Sequence, residues 1–204
     1  MTTTEEPGQT TVYEISDVGF SNAIEIRQIV QLLEFQNNDS VRDALEEKEA
    51  ESANMMMRNA LISRLVLLVS RAYSTPSRDT DLHVGRAFEL LSDDIIRTEI
   101  EARVSPESVA HAIDLWKRLR GDQRLSRIKH FRDKYTAHLG KQNPKIPPPE
   151  YQQLFDFARE TTLLMDALAR ATGARIEGID TWDEELKNSA AAFWLPWTSG
   201  GDSA

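Results

Sequence analysis

The sequence predicts an all-α fold, an antiparallel helical bundle, and three observations support this. Apolar residues recur at helical spacing along most of the chain, no segment shows the sustained alternation of a strand, and several helix ends carry capping residues. With 204 residues, of which 40% are hydrophobic, the chain can bury one core. We expect a helical domain over residues 20–173, preceded by a flexible segment at 1–19 and followed by a C-terminal extension at 174–204.

Local signals place the individual helices. Ser105 before Pro106 predicts a cap and a first helical residue, and Gly121-Asp122 ends or kinks that helix and caps the next. A capping box from Thr181 to Glu184 starts a short final helix, and the aromatic tail at 193–197 is expected to pack back on the bundle. The expected helices span about residues 21–37, 39–73, 82–102, 106–120, 123–139 and 150–171.

Composition excludes several classes of function. The chain has no cysteine, which removes disulfides, thiolate nucleophiles and cysteine-bound metals. It has no glycine-rich phosphate loop and no nucleophile elbow, and its four histidines form no familiar zinc pair. We therefore expect neither a metal nor a cofactor. No apolar run is long enough to cross a bilayer and no secretory signal is visible, so we expect a cytoplasmic protein without membrane partners.

The charge is distributed unevenly along the chain. The net charge is -9, which argues against general coating of nucleic acid. Basic residues nevertheless concentrate in one segment, at Lys117, Arg118, Arg120, Arg124, Arg127, Lys129, Arg132 and Lys134. Such a cluster in an acidic chain favours a local anion site, and a solvated helix face is the alternative interpretation.

Arg132 is the most informative residue of this segment. On a helix that turns about 100° per residue, it falls on the same arc as Leu125, Ile128 and Phe131, where packing favours an aliphatic side chain. A guanidinium on a core-facing stripe needs an acid, a second subunit or an anionic ligand to satisfy it. His138 falls at the edge of the same arc.

Arginine and histidine together suit phosphodiester chemistry that uses no metal. Histidine exchanges protons near neutral pH, and arginine stabilises the charge that develops on a phosphate. RNA supplies its own nucleophile, the 2′-hydroxyl. On one helix Arg132 and His138 would lie about 120° apart, so two copies related by a twofold axis are expected to close the site. Asp133 points away from the arc and can orient an arginine or histidine of the partner subunit.

The residues around this pair are expected to contact RNA. They are Arg127, Lys129, His130, Lys134 and Tyr135. His130, Lys134 and His138 share a helix face at four-residue spacing, and the lysine between the histidines favours a cationic face over a metal site.

The run Arg132-Asp133, four further residues and His138, near the end of a helix in an all-helical chain, resembles the motif of the HEPN superfamily. The segments "IKHFRDKYTAHLGK" and "LLVSRAYSTPSRDTDLHVGRAFELL" are most similar to its abortive-infection AbiU-like branch, and the resemblance covers about residues 20–173. It implies a homodimeric HEPN-like bundle that cleaves RNA without metal in a toxin–antitoxin or phage-defence system. Arg132 would bind the scissile phosphate, His138 would act as acid and base, and Asp133 would assist positioning.

The resemblance also leaves alternatives open. Toxins paired with a nucleotidyltransferase antitoxin usually carry a tyrosine two places after the histidine, where this chain has Gly140, so that kind of antitoxin partner is in doubt. HEPN proteins include non-catalytic modules, so a helical adaptor that binds a partner protein or a nucleotide is the second hypothesis. The third is purely structural, with Arg132 held in an ion pair within the chain.

Overall fold

The described part of the chain consists of nine α-helices and two short helical turns. The computed structural model describes residues 7–75, 78, 81–136 and 146–198. The helices are α1 (Pro7–Gln36), α2 (Asp39–Glu47), α3 (Glu51–Ala72), α4 (Val84–Leu90), α5 (Asp94–Arg103), α6 (Pro106–Arg120), α7 (Gln123–Phe131), α8 (Tyr151–Ala171) and α9 (Asp183–Thr198). No strand occurs within these ranges, and the prediction of an all-α bundle is confirmed.

The core forms around α1 and α8, which pack along each other. Helix α8 is buried along most of its length, and its fully buried side chains include Phe157, Leu164 and Leu168. Helix α6 packs on α8 as well, and α3 packs on α1. Helix α7, which leads directly into the predicted motif, is held between α3 and α8.

The N-terminal helix begins earlier than expected. Helix α1 starts at Pro7, so residues 7–19 of the segment expected to be flexible are helical, and residues 1–6 lie outside the described part. Val12 and Ile15 are fully buried, and with Phe20 they continue the apolar stripe of the helix. The polar and acidic side chains of this segment lie between those positions. The segment is therefore polar on average, although its helix has one buried face.

Two of the expected helices are each divided in two. The one expected over 39–73 breaks after α2, where Glu49 adopts a left-handed backbone with a φ of 53°. The one expected over 82–102 breaks before α5, where the side chain of Asp93 accepts hydrogen bonds from the backbone N–H groups of Ile95 and Ile96. That carboxylate satisfies donors that an uninterrupted helix would bond internally, so it fixes a new helix start.

The predicted caps of α6 and α7 are confirmed, whereas at the expected capping box the Thr181 hydroxyl donates a hydrogen bond to the carbonyl oxygen of Gly178 at 2.8 Å. The Ser105 side chain caps α6 with Pro106 at its first position, and the Asp122 carboxylate accepts a hydrogen bond from the backbone N–H of Arg124. After α8, Gly173 has a φ of +74°, a conformation that glycine adopts without steric cost. Within the described ranges, every helix is too short or too polar to span a membrane.

The C-terminal helix is longer than expected and includes the aromatic tail. Helix α9 runs to Thr198 and packs on α1 and α2. The indole of Trp194 is 2% exposed and its Nε1 donates a hydrogen bond to the carbonyl oxygen of Leu32 at 3.0 Å. At the start of α9, Asp183 pairs with Arg27 of α1. The expected packing of the tail on the bundle is confirmed for Trp194, whereas Phe193 and Leu195 are 49% and 62% exposed.

Candidate functional site

Helix α7 is anchored at its start and along one face. The Asp122 carboxylate both caps the helix and pairs with the Arg124 guanidinium at 2.7 Å, and this partner lowers the pKa of Asp122. Arg124 also pairs with Glu160 of α8 at 2.8 Å. Leu125 and Ile128 are buried, as predicted. These contacts fix the position of the residues that follow α7.

The predicted motif begins where the helix changes its geometry. The α-helix ends at Phe131, and Arg132–Thr136 form a π-helical turn that packs against α3. In a π-helix each backbone hydrogen bond spans one more residue than in an α-helix, so each residue rotates less about the axis. The expected α-helix over 123–139 is therefore wrong for residues 132–136, and residues 137–139 lie outside the described part.

Arg132 has a carboxylate partner in its own chain. Its Nε donates a 2.8 Å hydrogen bond to Oδ1 of Asp133, and its Nη2 lies 2.6 Å from the same oxygen. The side chains of Arg132 and Asp133 are 26% and 49% exposed. Asp133 therefore lies against the arginine of its own chain, and its expected role toward a partner subunit stays a prediction. The third guanidinium nitrogen of Arg132, Nη1, takes no part in the ion pair.

Lys129 lies close to Arg132 and connects the motif to another part of the fold. Its Nζ donates a hydrogen bond to the backbone carbonyl of Tyr73, just after α3, at 2.9 Å. Burial lowers the pKa of Lys129, and the positive charges of Arg132 and Arg120 lower it further. Lys129, Arg132 and Arg120 therefore form one cluster of interacting cations, which we call the cation cluster.

The other predicted RNA contacts are placed differently. Arg127 donates to the side-chain oxygen of Gln153 at 3.2 Å, which directs it toward α8. The Nε2 atom of His130 is buried and has no hydrogen-bond partner within the described chain, and Lys134 is partly buried. The side chain of Tyr135 and the whole of His138 lie outside the described residues.

The side chains of the predicted basic segment differ in whether they pair with an acid. Arg118 and Arg124 both lie near Glu160, so acids of the bundle balance part of the segment's charge. Arg120 belongs to the cation cluster, although it was not among the predicted site residues. The sequence also does not indicate that Lys129 binds Tyr73, because the acceptor is a backbone carbonyl, which every residue type has. Among the described side chains, no group of three or more histidines, aspartates and glutamates could hold a metal ion.

Comparison with known families supplies one match. A HEPN family model, described as AbiU2, matches residues 20–193. The match therefore includes the motif turn and most of α9. Comparisons with curated proteins and with solved structures gave no match.

Proposed function

Since this chain belongs to the AbiU2 family of HEPN proteins, we propose that it is a metal-independent endoribonuclease of abortive infection, acting in phage defence or as a toxin. The observation that carries the proposal is the placement of Arg132 on a π-helical turn. There its guanidinium is partly exposed and keeps Nη1 outside the ion pair with Asp133. Short π-helical turns occur frequently at functional sites.

The proposed reaction is an internal transesterification followed by product release. The 2′-oxygen of RNA attacks the adjacent phosphorus as its proton is removed, and the bond from phosphorus to the 5′-oxygen breaks. His138 acts as the acid–base group, and Arg132 stabilises the negative charge that develops on the phosphate. The products are a 2′,3′-cyclic phosphate and a 5′-hydroxyl.

Two neighbours of Arg132 support its role. Asp133 holds the guanidinium through Nε and Nη2, which restricts its rotation, and this is the positioning role proposed for it. Lys129 adds a second positive charge close by, so a phosphate at Arg132 would meet more than one cation. We propose a homodimer in which two copies of the motif form one cleft.

Cleavage of single-stranded RNA by the purified protein in EDTA tests this function. We expect cleavage that produces 2′,3′-cyclic phosphate ends and is lost in both Arg132→Ala and His138→Ala, while circular dichroism and oligomeric state remain those of the wild type. Arg118→Ala, which removes an exposed arginine of α6, serves as the matched control and should retain cleavage. Cleavage that persists in both motif variants would reject the proposal.

The ion pair between Arg132 and Asp133 favours one alternative, a non-catalytic adaptor. A guanidinium that is already paired with a carboxylate can bind a polar partner without turnover. RNA that binds to the wild type but stays intact under all conditions, with the same affinity in His138→Ala, would support that alternative.

A further inference from the structure

A cleft lies beside the cation cluster, between the end of α3, α4 and α6. Its volume is about 520 Å³, and its lining includes Tyr73, Ser74, Phe88, Ser92 and Trp116. Pockets that take small organic ligands commonly have volumes of about 300–1,000 Å³. The cleft is therefore large enough for a nucleoside.

Aromatic rings form one wall of this cleft, and they are buried against one another: Tyr73, Phe88 and Trp116 are 3%, 7% and 9% exposed. Trp116 lies parallel to Phe88, with ring centroids 4.8 Å apart, and parallel to Tyr73 at 5.4 Å. The Arg120 guanidinium lies over the Trp116 ring, 5.6 Å from its centroid. Because Arg120 is exposed, its guanidinium offers a nucleobase the flat stacking surface that the buried rings do not.

The rim of the cleft carries two cations that are unpaired among the described residues and one carboxylate, Glu89, which pairs with Arg86 at 3.6 Å. Lys117 and Arg120 line the cleft and are exposed. Within the described chain, neither side chain pairs with a carboxylate, whereas Arg118 on the same helix lies 3.9 Å from Glu160. Unpaired cations around an aromatic wall are the combination that binds a base and its phosphates. The hydroxyl groups of Ser74 and Ser92 add hydrogen-bonding groups to the same lining.

The cleft is joined to the motif through Lys129. The backbone carbonyl that accepts the Lys129 hydrogen bond belongs to Tyr73, whose ring lies in the aromatic wall. Lys129 also interacts electrostatically with Arg120 at the rim and with Arg132 on the π-helical turn. Lys129 therefore links the cleft to the proposed phosphate-binding arginine.

We propose that this cleft is a base-binding subsite, which holds a nucleoside of single-stranded RNA next to the phosphate at Arg132. This rests on the proposed function, because the phosphate at Arg132 is the one that would be cleaved. Stacking on the exposed Arg120 guanidinium, which lies over Trp116, would hold the base, and Lys117 would bind a neighbouring phosphate.

Binding of a fluorescein-labelled 2′-O-methyl RNA decamer, which cannot be cleaved because its 2′-oxygens are blocked, tests the subsite. Fluorescence anisotropy would give the Kd for wild type, for the double variant Lys117→Ala/Arg120→Ala, and for Ser92→Trp. We expect both variants to raise the Kd about tenfold, a change within the range of losing one stacked base. Arg118→Ala, the charge-matched control on α6, should stay within about twofold of wild type, since its partner is Glu160.

Ser92→Trp distinguishes binding in the cleft from general electrostatic attraction, because it fills the cleft and removes no cation. Its weaker binding should come with an unchanged dependence on salt, whereas the double variant should show a shallower one. If both variants bind the decamer as wild type does, while wild type still cleaves RNA, the subsite is wrong and the nuclease stands. If both variants weaken binding but wild type cleaves no RNA, the nuclease is wrong and the binding site for RNA bases stands.

A strand of RNA and a free nucleotide carry the same base and phosphate. Competition with mononucleotides therefore tests which of the two the cleft binds. We expect AMP, GMP, CMP and UMP to compete with the decamer only weakly, because each lacks the second phosphate contact at Arg132. A mononucleotide that binds in the cleft of wild type but not of Ser92→Trp, while the decamer binds both equally, would overturn the proposed RNA subsite.

Discussion

At the scale of single residues, the ion pair between Arg132 and Asp133 has two opposite effects on an incoming phosphate. The Asp133 carboxylate holds two of the guanidinium nitrogens and so limits the conformations of Arg132. The same carboxylate repels a phosphate that approaches Nη1. We therefore expect the positioning by Asp133 to affect the rate of cleavage, and its repulsion of the phosphate to affect the affinity for RNA.

Removal of the carboxylate in Asp133→Ala should separate these two effects. We expect the Kd for the 2′-O-methyl decamer to fall by roughly two- to fivefold, the size of one partly exposed charge interaction, and single-turnover cleavage to slow. Anisotropy and quenched-flow assays measure the two quantities. Asp43→Ala on α2 removes an equal charge from an exposed position and should change neither. Faster cleavage together with tighter binding would contradict the positioning role of Asp133.

His83 is a second residue whose environment has a measurable consequence. It lies just before α4 with its side chain 8% exposed, and burial lowers its pKa. Asp81, with Oδ2 3.9 Å from His83 Nε2, opposes that change, whereas the charges of Arg71 and Arg86 add to it. The folded protein therefore binds a proton at His83 less readily than the unfolded chain does.

The sign of the pH dependence follows from this difference in proton affinity. As the pH falls below the ordinary value of 6.5, the unfolded state takes up the proton first, so the free energy of unfolding decreases until the lower folded-state pKa is passed. Urea unfolding at pH 7.5 and 5.5 should show a smaller loss for His83→Gln than for wild type. Equal losses in the two proteins would show that His83 does not contribute to this change.

At the scale of helices, the first helix shows how composition can conceal structure. Residues 7–19 precede the expected start of α1, yet Val12 and Ile15 are completely buried. Their spacing of three residues places them on one side of the helix, which packs against the bundle. The N-terminal part of α1 is thus part of the core and contributes to stability.

Truncation of one buried side chain in this segment measures that contribution. Ile15→Ala should lower the free energy of unfolding by about 2–4 kcal/mol, because it leaves a cavity among packed neighbours. Tyr13→Ala, at a residue 48% exposed, should cost much less. Urea denaturation followed by circular dichroism gives both values. A loss for Ile15→Ala no larger than that for Tyr13→Ala would indicate that the segment is loosely attached.

The sequence predicts an element correctly when the residues that determine it are neighbours along the chain. Ser105 and Asp122 cap their helices through hydrogen bonds to the next few residues, so their roles follow from residue type and position. The break at Glu49 cannot be predicted in this way, because glutamate has no preference for a left-handed backbone. The π-helical turn at Arg132–Thr136 has no residue signature either, and its packing against α3 joins parts of the chain distant in sequence.

The same reasoning applies to the candidate site. Arg132 was identified because its charge disagrees with the helix pattern around it, and that pattern is local. Its pairing with the adjacent Asp133 depends on the π-helical turn, which the assumed 100° rotation does not describe. The cleft next to Lys129 depends on three separate helices, so no spacing along the chain predicts it.

At the scale of the whole molecule, the proposed active site requires two chains. The net charge of -9 means that RNA would be attracted only near the cation cluster, not over the entire surface. One chain carries a single Arg132 and a single His138 at the motif, and the proposed dimer brings two of each together. Whether an Arg132 works with the His138 of its own chain or of the partner is open to a direct test.

Mixed dimers of Arg132→Ala and His138→Ala chains distinguish these two arrangements. If each site takes its arginine from one chain and its histidine from the other, a mixed dimer contains one intact site and one doubly damaged site. Random reassortment of the two inactive variants should then restore about a quarter of the wild-type cleavage, since half of the dimers are mixed and each has one of two sites. Native mass spectrometry confirms that mixed dimers have formed. Complete inactivity in their presence would contradict sites that take the arginine from one chain and the histidine from the other.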